Sequence, residues 1–478
     1  MTTDEECEVD FVCWQCVGED YLQETILASA REGECSFCGV TAPCMAISEL
    51  ADRIERVFRD YYDRTPRDAP DDIIWDLFEG WDRPGEHVLD VIQEVAEVSD
   101  LVAARVLGIL TDRHDDIDAA RIGEECEFGE DSYYQRRRAS DGGWSAKWRD
   151  FEESLKKENR FFNDQALDML RSVFGALDEL LTGDGASPIV TAGPHGAVSR
   201  IFRARFFESE SDLRKALMRP DLLLGPPPSE IARAGRMNAS GISTFYGATS
   251  PEVALAETRP PVGTWCAVAQ FDIIRPLQLL DLAALASVQV HGSVFDPAHI
   301  DQVERAEFLR SLSARLSRVV APSDETLNYL PTQVIADYLS DKCDPTLDGI
   351  IFSSVQYSGP GANVALFYKA SRVEKLEYPE GAEFRAYRAS GNPDDPMEPE
   401  YLVDVTWPKG AKIKREAEER SHWDWSRPKA LTPSDSRSAS LRVDAASIAV
   451  HRVLGVHIQS ECISVRREEY EVVGSDDF

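Results

Sequence analysis

Three side chains able to do chemistry together fall within one stretch, Gly235 to Pro260, reading GRMNASGISTFYGATSPEVALAETRP. Arg236 follows a glycine, Tyr246 ends a small extended piece starting at Ile242, and Glu257 lies in a helix or at its end. That helix has its own signals. Ser250 or Thr249 can cap it, Pro251 suits its first position, and Pro260 stops it. An arginine, a tyrosine and a glutamate on three successive short elements suit a catalytic site, because scaffold-held junctions keep side chains positioned and accessible. The competing reading makes Arg236 and Glu257 a structural ion pair and Tyr246 a tyrosine at the core edge.

Ten cysteines include a second constellation. Cys13-x2-Cys16 and Cys35-x2-Cys38 are separated by 18 residues, which is the spacing of a structural zinc site. Gly39 suits the tight turn after Cys38. Buried thiols or a redox pair are the alternatives, but two pairs closing one helical excursion favour Zn2+. Cys7 and Cys44 lie close enough to be alternate ligands but have no matching partners, and Cys126, Cys266, Cys343 and Cys462 read as scattered thiols.

A chain of 478 residues needs two or three cores. Its formal charge of −34 speaks against nonspecific nucleic-acid binding, which requires lysine and arginine along the phosphate backbone. A local basic pocket for a small anion remains compatible with that charge. The start, MTTDEECEVDF, lacks a positive-apolar-small pattern, and no run approaches 18 uncharged apolar residues, so a cytoplasmic protein without a membrane span is expected.

Periodicity supplies the elements that must carry these residues. Tyr21 to Ala30 reads as a short helix, and Ile47, Leu50, Ile54, Val57, Phe58 and Tyr61 form an amphipathic one. Ile73 to Phe78 reads as a helical turn, and a further helix runs across Val88, Ile92, Val95 and Leu101, up to Leu107. The stripe Phe162, Ala166, Leu170, Val173, Leu177 and Leu180 predicts one helix over Asn159 to Leu181, ended by a Gly-, Ser- and Pro-containing boundary. From Ile201 the pattern changes. Strands are expected at Ile201–Phe206, Trp265–Ile273, Leu277–Leu282, Ile350–Phe352 and Val364–Tyr368, with helices at Glu304–Leu316 and from Pro331 to Leu339. Residues Tyr378 to Thr432 show no sustained period, and Leu441–Val450 and Val453–Val465 read as two strands before an acidic tail. The fold class is α+β, a mainly helical N-terminal region followed by a mixed α/β domain. The expected domains are a four-cysteine zinc knuckle over 1–45, a helical domain over 46–190, a mixed core over 191–375 and an extension over 376–478.

The stretch around Glu257 resembles the core of the RES domain family. The matching pieces are FRAR at Phe202 to Arg205, GRMN at Gly235 to Asn238, Tyr246, and ALAE ending at Glu257. RPLQLLDL from Arg275, DGIIFSS from Asp348 and Asn363 with Leu366-Phe367 complete them. The resemblance spans about residues 198 to 370. It implies an ADP-ribosyltransferase-like fold and NAD degradation as the toxin of a toxin–antitoxin pair. The helical region, through WRDF at Trp148 and NRFF at Asn159, resembles the HEPN-like region found before some RES domains. Many HEPN ribonucleases place a histidine a few residues after an arginine. Arg160 has none near it and Arg113-His114 are adjacent, so the nuclease reading is poor and a binding or assembly role fits better.

The resemblance also assigns roles. Glu257 would stabilise the oxocarbenium ion that develops as nicotinamide leaves, with Tyr246, Arg236 and Ser354 as its catalytic companions. Arg203 or Arg205, together with Arg236, would hold the dinucleotide phosphates. Arg203 and Arg205 share one strand face by parity, so sequence leaves open which enters the pocket. Tyr246 and Ser354 would also contact NAD. Ser353 competes with Ser354, and Asn363 either binds NAD or holds a turn. His195, ahead of the first matched strand, reads as a linker residue. The expected activity is cleavage of NAD by inorganic phosphate or water. ADP-ribosyl transfer to a macromolecule and a noncatalytic binding protein are the alternatives. A small protein antitoxin and a homo-oligomer are the expected partners besides NAD.

Overall fold

The computed structural model describes residues 10–29, 31–67, 83–115, 126–317, 325–389, 400–412, 435–456 and 462–467. The expected turn at 73–78 and the acidic tail lie outside these residues. The chain divides into two compact units, Met1–Ile189 with Leu280–Thr346, and Val190–Leu279 with Leu347–Phe478.

The first unit is mainly helical. Its amphipathic helix, Ile47–Tyr61, buries Ile47, Leu50, Ala51, Ile54, Val57, Phe58 and Tyr61, the face that a 3.6-residue period aligns. Each large side chain so buried contributes roughly 1.5–3 kcal/mol, which is what holds the helix in place. The single helix expected from Val88 to Leu107 is two, Val88–Ala96 and Asp100–Arg113. Glu97 between them adopts a left-handed conformation, and its carbonyl accepts the Gly18 N–H at 2.9 Å, so a long-range contact ends the first helix where periodicity shows no break. The helix expected over Asn159 to Leu181 is also shorter. Asp164–Phe174 is helical, capped by Asn163, whose Oδ1 accepts the Ala166 N–H. Phe161 and Phe162 precede that cap and are exposed, so they do not belong to the buried stripe. Trp144–Lys157 forms another helix. The segment Leu280–Thr346 gives this unit the helices His299–Ser317 and Leu330–Asp341.

The second unit is built on an eight-stranded sheet. Its order is Leu441–Arg452, Trp265–Ile273, Arg200–Phe207, Phe245–Ala248, Ala362–Leu366, Gly349–Ser353, Leu277–Asp281 and Ile189–Ala192. Alternation assigns the two faces. Ile201, Phe245, Ala267, Ala269, Phe271, Val364 and Leu366 point to the main core, together with Leu213, Ala216 and Leu217 of the helix Glu210–Met218. Ala204, Ala248, Cys266 and Val268 point the other way, beneath Val253 and Ala254 of the short helix Pro251–Glu257. Two expectations on the C-terminal side change. The aperiodic region contains a hairpin, Glu383–Ala389 with Glu400–Thr406, and Leu441–Arg452 is one strand with no second strand among the described residues after it.

One local feature prepares a site. Arg200–Phe207 pairs along eight positions with Trp265–Ile273, but with Phe245–Ala248 it registers only at Phe202 and Ala248. The two central strands part beyond that pair. The opening between them lies beside the helix that ends in Glu257.

Candidate active site

Glu257 is the last residue of its helix, whose start is fixed by the Ser250 hydroxyl accepting the Val253 N–H at 3.3 Å and by Pro251 in the first turn. Its Oε1 accepts two hydrogen bonds, from the Ser354 hydroxyl at 2.6 Å and from Asn363 Nδ2 at 2.8 Å. Among the described residues Oε2 accepts none. One carboxylate oxygen is therefore pinned and the other is left for a ligand. The donors come from the end of Gly349–Ser353 and from Ala362–Leu366, strands paired so that Phe352 faces Asn363. Asn363 is 6% exposed, so its amide is held by packing as well as by the carboxylate.

Tyr246 lies on the same sheet face. Its hydroxyl donates to Asn238 Oδ1 at 2.7 Å and accepts the Met237 N–H at 2.9 Å. Asn238 Nδ2 in turn donates to the carbonyls of Arg233, Ala239 and Ile242, which fixes the whole polar turn. Gly235 is required there: a Cβ would come within 2.7 Å of the Tyr246 hydroxyl.

Arg203 starts from the opposite face and fills the opening between the parted strands. Its Nη1 donates to the Tyr246 carbonyl at 2.5 Å, in place of a strand neighbour, and its guanidinium sits 5.2 Å from the centre of the Phe245 ring. The residue as a whole is half-buried, but its Nε is enclosed without a hydrogen-bond partner. Burial, with the Arg205 charge adding to it, pulls its pKa down to about 10, so it stays protonated at neutral pH. A buried cation with an unused N–H is an acceptor-seeking group.

Two cavities share lining residues here. One of about 290 Å³ is lined by Arg203, Tyr246, Gly247, Glu257, Phe352 and Asn363, among others. The other, about 630 Å³, shares Arg203 and Tyr246 and adds Arg205, Arg233, Asn238 and apolar Pro227, Ile231 and Ile242. Both arginines left open by parity thus line the larger cavity, and of the two only Arg203 also lines the smaller. Ser354 is half-buried on Glu257, whereas Ser353 is exposed. Asn363 bonds the carboxylate and not a turn. Arg236 is half-buried and lines neither cavity; it precedes Met237, whose N–H carries the tyrosine bond. Arg233 and Asn238 were not singled out by residue type and spacing. The available signal was that Asn238 closes the GRMN segment and Arg233 lies two residues before it. His195 is exposed on a loop outside these cavities.

In the first unit, Cys13, Cys16, Cys35 and Cys38 bring their four sulfurs within 4.8 Å of one another. Zinc–sulfur bonds of about 2.3 Å around a tetrahedral ion require S···S edges of roughly 3.8 Å. The Cys13–Cys38 and Cys16–Cys35 sulfurs are 3.6 and 3.8 Å apart, so the donor set fits that ion. Burial raises the Cys13 and Cys16 thiols. Burial also acts upward on Cys35, but the backbone N–H groups of Cys38, Phe37 and Cys13 outweigh it and bring this thiol down to about 7. Gly39 takes the left-handed turn after the second pair, at φ 70°. Cys44 is buried and donates to the Gly33 carbonyl, outside the cluster. Arg113 pairs with Asp52 and Glu55, and His114 lies against Glu55 and Glu127. Among the described residues no helix is long and apolar enough to cross a membrane.

A family model for the RES domain matches residues 200–389, and one for HEPN/RES N-terminal domain 1 matches residues 28–168. No curated protein and no solved structure gives a significant match to the chain. The RES family is characteristically associated with NAD cleavage, within toxin and defence systems.

Proposed function

We propose that this chain, which carries a RES domain behind a HEPN/RES N-terminal domain, cleaves the nicotinamide N-glycosidic bond of NAD and acts as the toxin of a toxin–antitoxin or defence system. The observation that carries this reading is the carboxylate of Glu257, braced on Oε1 by Ser354 and Asn363 and open at Oε2 beside Tyr246 and Arg203.

In the reaction the ribose C1–nitrogen bond breaks and its electron pair leaves with nicotinamide. Positive charge develops on the ribose, and a fixed carboxylate stabilises it without having to reorganise. An oxygen of water or inorganic phosphate then bonds to the same carbon and releases its proton to solvent, since nicotinamide leaves as a neutral base. Tyr246 lines the wall against which the nicotinamide or ribose rests, and the arginines hold the phosphates. The buried Arg203 cation, with its unused Nε–H, suits a phosphate oxygen beside the residues that both cavities share. The cysteine cluster holds structural Zn2+ in the first unit. A cytoplasmic setting supplies both NAD and the reducing conditions that keep four thiols as metal ligands. An open cleft also calls for a restraint, which a small antitoxin protein seated in it or a second copy of the chain would provide.

The test is incubation of the full chain with NAD in phosphate and in phosphate-free buffer, with separation of nicotinamide, ADP-ribose and ADP-ribose-1″-phosphate. Release of nicotinamide with one of the two ribosyl products is expected. NAD left intact under both conditions contradicts the reading.

A further inference from the structure

The first unit has a cavity lined by none of the residues assigned to NAD. It encloses about 190 Å³ where the helix Ile47–Tyr61 ends, the strand Tyr133–Arg136 runs out and the helix His299–Ser317 begins. Pockets for drug-sized ligands start near about 300 Å³, so this one suits a smaller molecule. Its most buried lining residues are Tyr61 and His299, 8% and 6% exposed, joined by a hydrogen bond of 2.8 Å between the Tyr61 hydroxyl and His299 Nδ1. Burial pulls the His299 pKa down and pushes Tyr61 up to about 12, so both are uncharged at neutral pH.

Charged groups line the same cavity, and two of opposite sign are left without partners. Of the consecutive Arg136, Arg137 and Arg138, the middle one is committed to Asp63 and to the Tyr62 carbonyl, at 2.9 and 3.2 Å. The Arg136 side chain makes no hydrogen bond or ion pair among the described residues. Its backbone is nevertheless fixed by strand pairing with Tyr62, and its charge is close enough to depress the pKa of both Tyr61 and His299. Asp60 also lines the cavity but pairs with Arg59 at 3.0 Å. Glu304 has no such counterion. Its half-buried carboxylate makes no hydrogen bond or ion pair among the described residues, and a Cβ at Gly142 would collide with it, so the chain at Gly142 packs directly on it. Burial pushes its pKa up, with Asp301, Asp141 and Asp60 adding to the rise and Lys147 opposing it. A charge disfavoured by its surroundings and given no partner marks a ligand site better than a stabilising contact.

A free guanidinium and a free carboxylate thus line one small cavity without pairing with each other. We propose that this cavity binds a zwitterion of α-amino-acid size, with its carboxylate on Arg136 and its ammonium on Glu304. The guanidinium fork matches the two oxygens of a carboxylate. An ammonium supplies the counter-charge that Glu304 lacks. Ala139, Ile300 and Val303 give the cavity apolar surface for a short side chain. A dinucleotide is too large for it, so the ligand differs from NAD and the proposal stands without the NAD-cleaving reading.

Calorimetric titration of the full chain at neutral pH, with the standard L-amino acids taken one at a time, tests the site. At least one with a short side chain is expected to bind saturably. The same acid without its amino group, and inorganic phosphate, are expected not to displace it. Arg136→Ala and Glu304→Gln should each weaken binding roughly tenfold to a hundredfold, the range of a charge-assisted bond. Arg136→Lys, which keeps the charge but loses the fork, should fall between wild type and Arg136→Ala. Thermal unfolding without ligand separates this from a structural role. Arg136→Ala should unfold as wild type does, and Glu304→Gln no earlier, because a carboxylate whose pKa is raised by folding opposes folding at neutral pH. No amino acid bound, unchanged affinity in both variants, or displacement by phosphate overturns the proposal. Earlier unfolding of both ligand-free variants also overturns it and makes the two residues structural.

Discussion

The cysteine cluster of the first unit and the carboxylate cleft of the second are both sites where several side chains converge, but they are assembled differently. The four cysteines lie within 26 positions of chain, brought together by one short helix, Asp20–Ala28, and three short strands. The cleft collects Arg203, Tyr246, Glu257, Ser354 and Asn363, with 97 positions from Glu257 to Ser354 and 106 from Glu257 to Asn363. A locally closed metal site contributes to folding directly, since its ligands converge only when the segment folds. The cleft depends on a sheet already formed, and its binding groups are placed by strand order. The first should therefore fail by unfolding and the second by losing chemistry.

The largest expected effect breaks the first half of that contrast. Protein purified without added metal should contain one zinc ion per chain, and Cys35→Ala should lose it. Structural zinc contributes on the order of 10 kcal/mol of apparent binding free energy in small metal domains, more than a typical domain has to spare. Thermal unfolding with parallel elemental analysis checks this. Zinc near zero in the wild type removes the metal site. An unchanged transition in a zinc-free variant shows that the segment folds without it.

Within the cleft, smaller losses in a folded protein are expected. Asn363→Ala and Ser354→Ala each remove one donor from Glu257 Oε1 and should each lower NAD turnover about tenfold, the value of one charge-assisted bond. Because both donors act on one oxygen, the double substitution should cost less than the product of the two. A double-mutant cycle on turnover, normalised by folded fraction, measures this, and simple multiplication would mean the two donors work independently. The smallest effect belongs to Tyr246→Phe. It deletes the hydroxyl that joins Asn238 and Met237, so about 1 kcal/mol of stability should be lost, read as a shift in denaturant midpoint. No shift would mean that the turn is held by the Asn238 amide alone.

The same contrast explains what was legible in the sequence. Local features came through: the CxxC pairs, the Ser250–Pro251 helix start, and the apolar stripe of Ile47–Tyr61. Each depends on neighbours a few residues apart. Features set by distant contacts did not. Glu97 ends a helix because Gly18 approaches it from another element, and the Asn159 to Leu181 stripe could not reveal that Phe162 lies outside its cap. The Glu383–Ala389 hairpin was hidden by its charged, exposed alternation. In the cleft, family resemblance pointed to Glu257 and to Ser354 over Ser353. That Arg233 lines a wall where Arg236 does not depends on the direction a turn takes, which no spacing rule encodes.

Glu257 carries the central claim, and one pair of measurements on one variant tests it most directly. Glu257→Gln keeps the size of the side chain and much of its hydrogen bonding while removing the charge that meets the developing cation. Single-turnover NAD cleavage and NAD binding would be measured on the folded variant alongside wild type. The account predicts a fall in turnover on the order of 10²-fold or more with little change in NAD affinity. Wild-type turnover in a folded Glu257→Gln protein would contradict it and leave the carboxylate as a structural partner of Ser354 and Asn363.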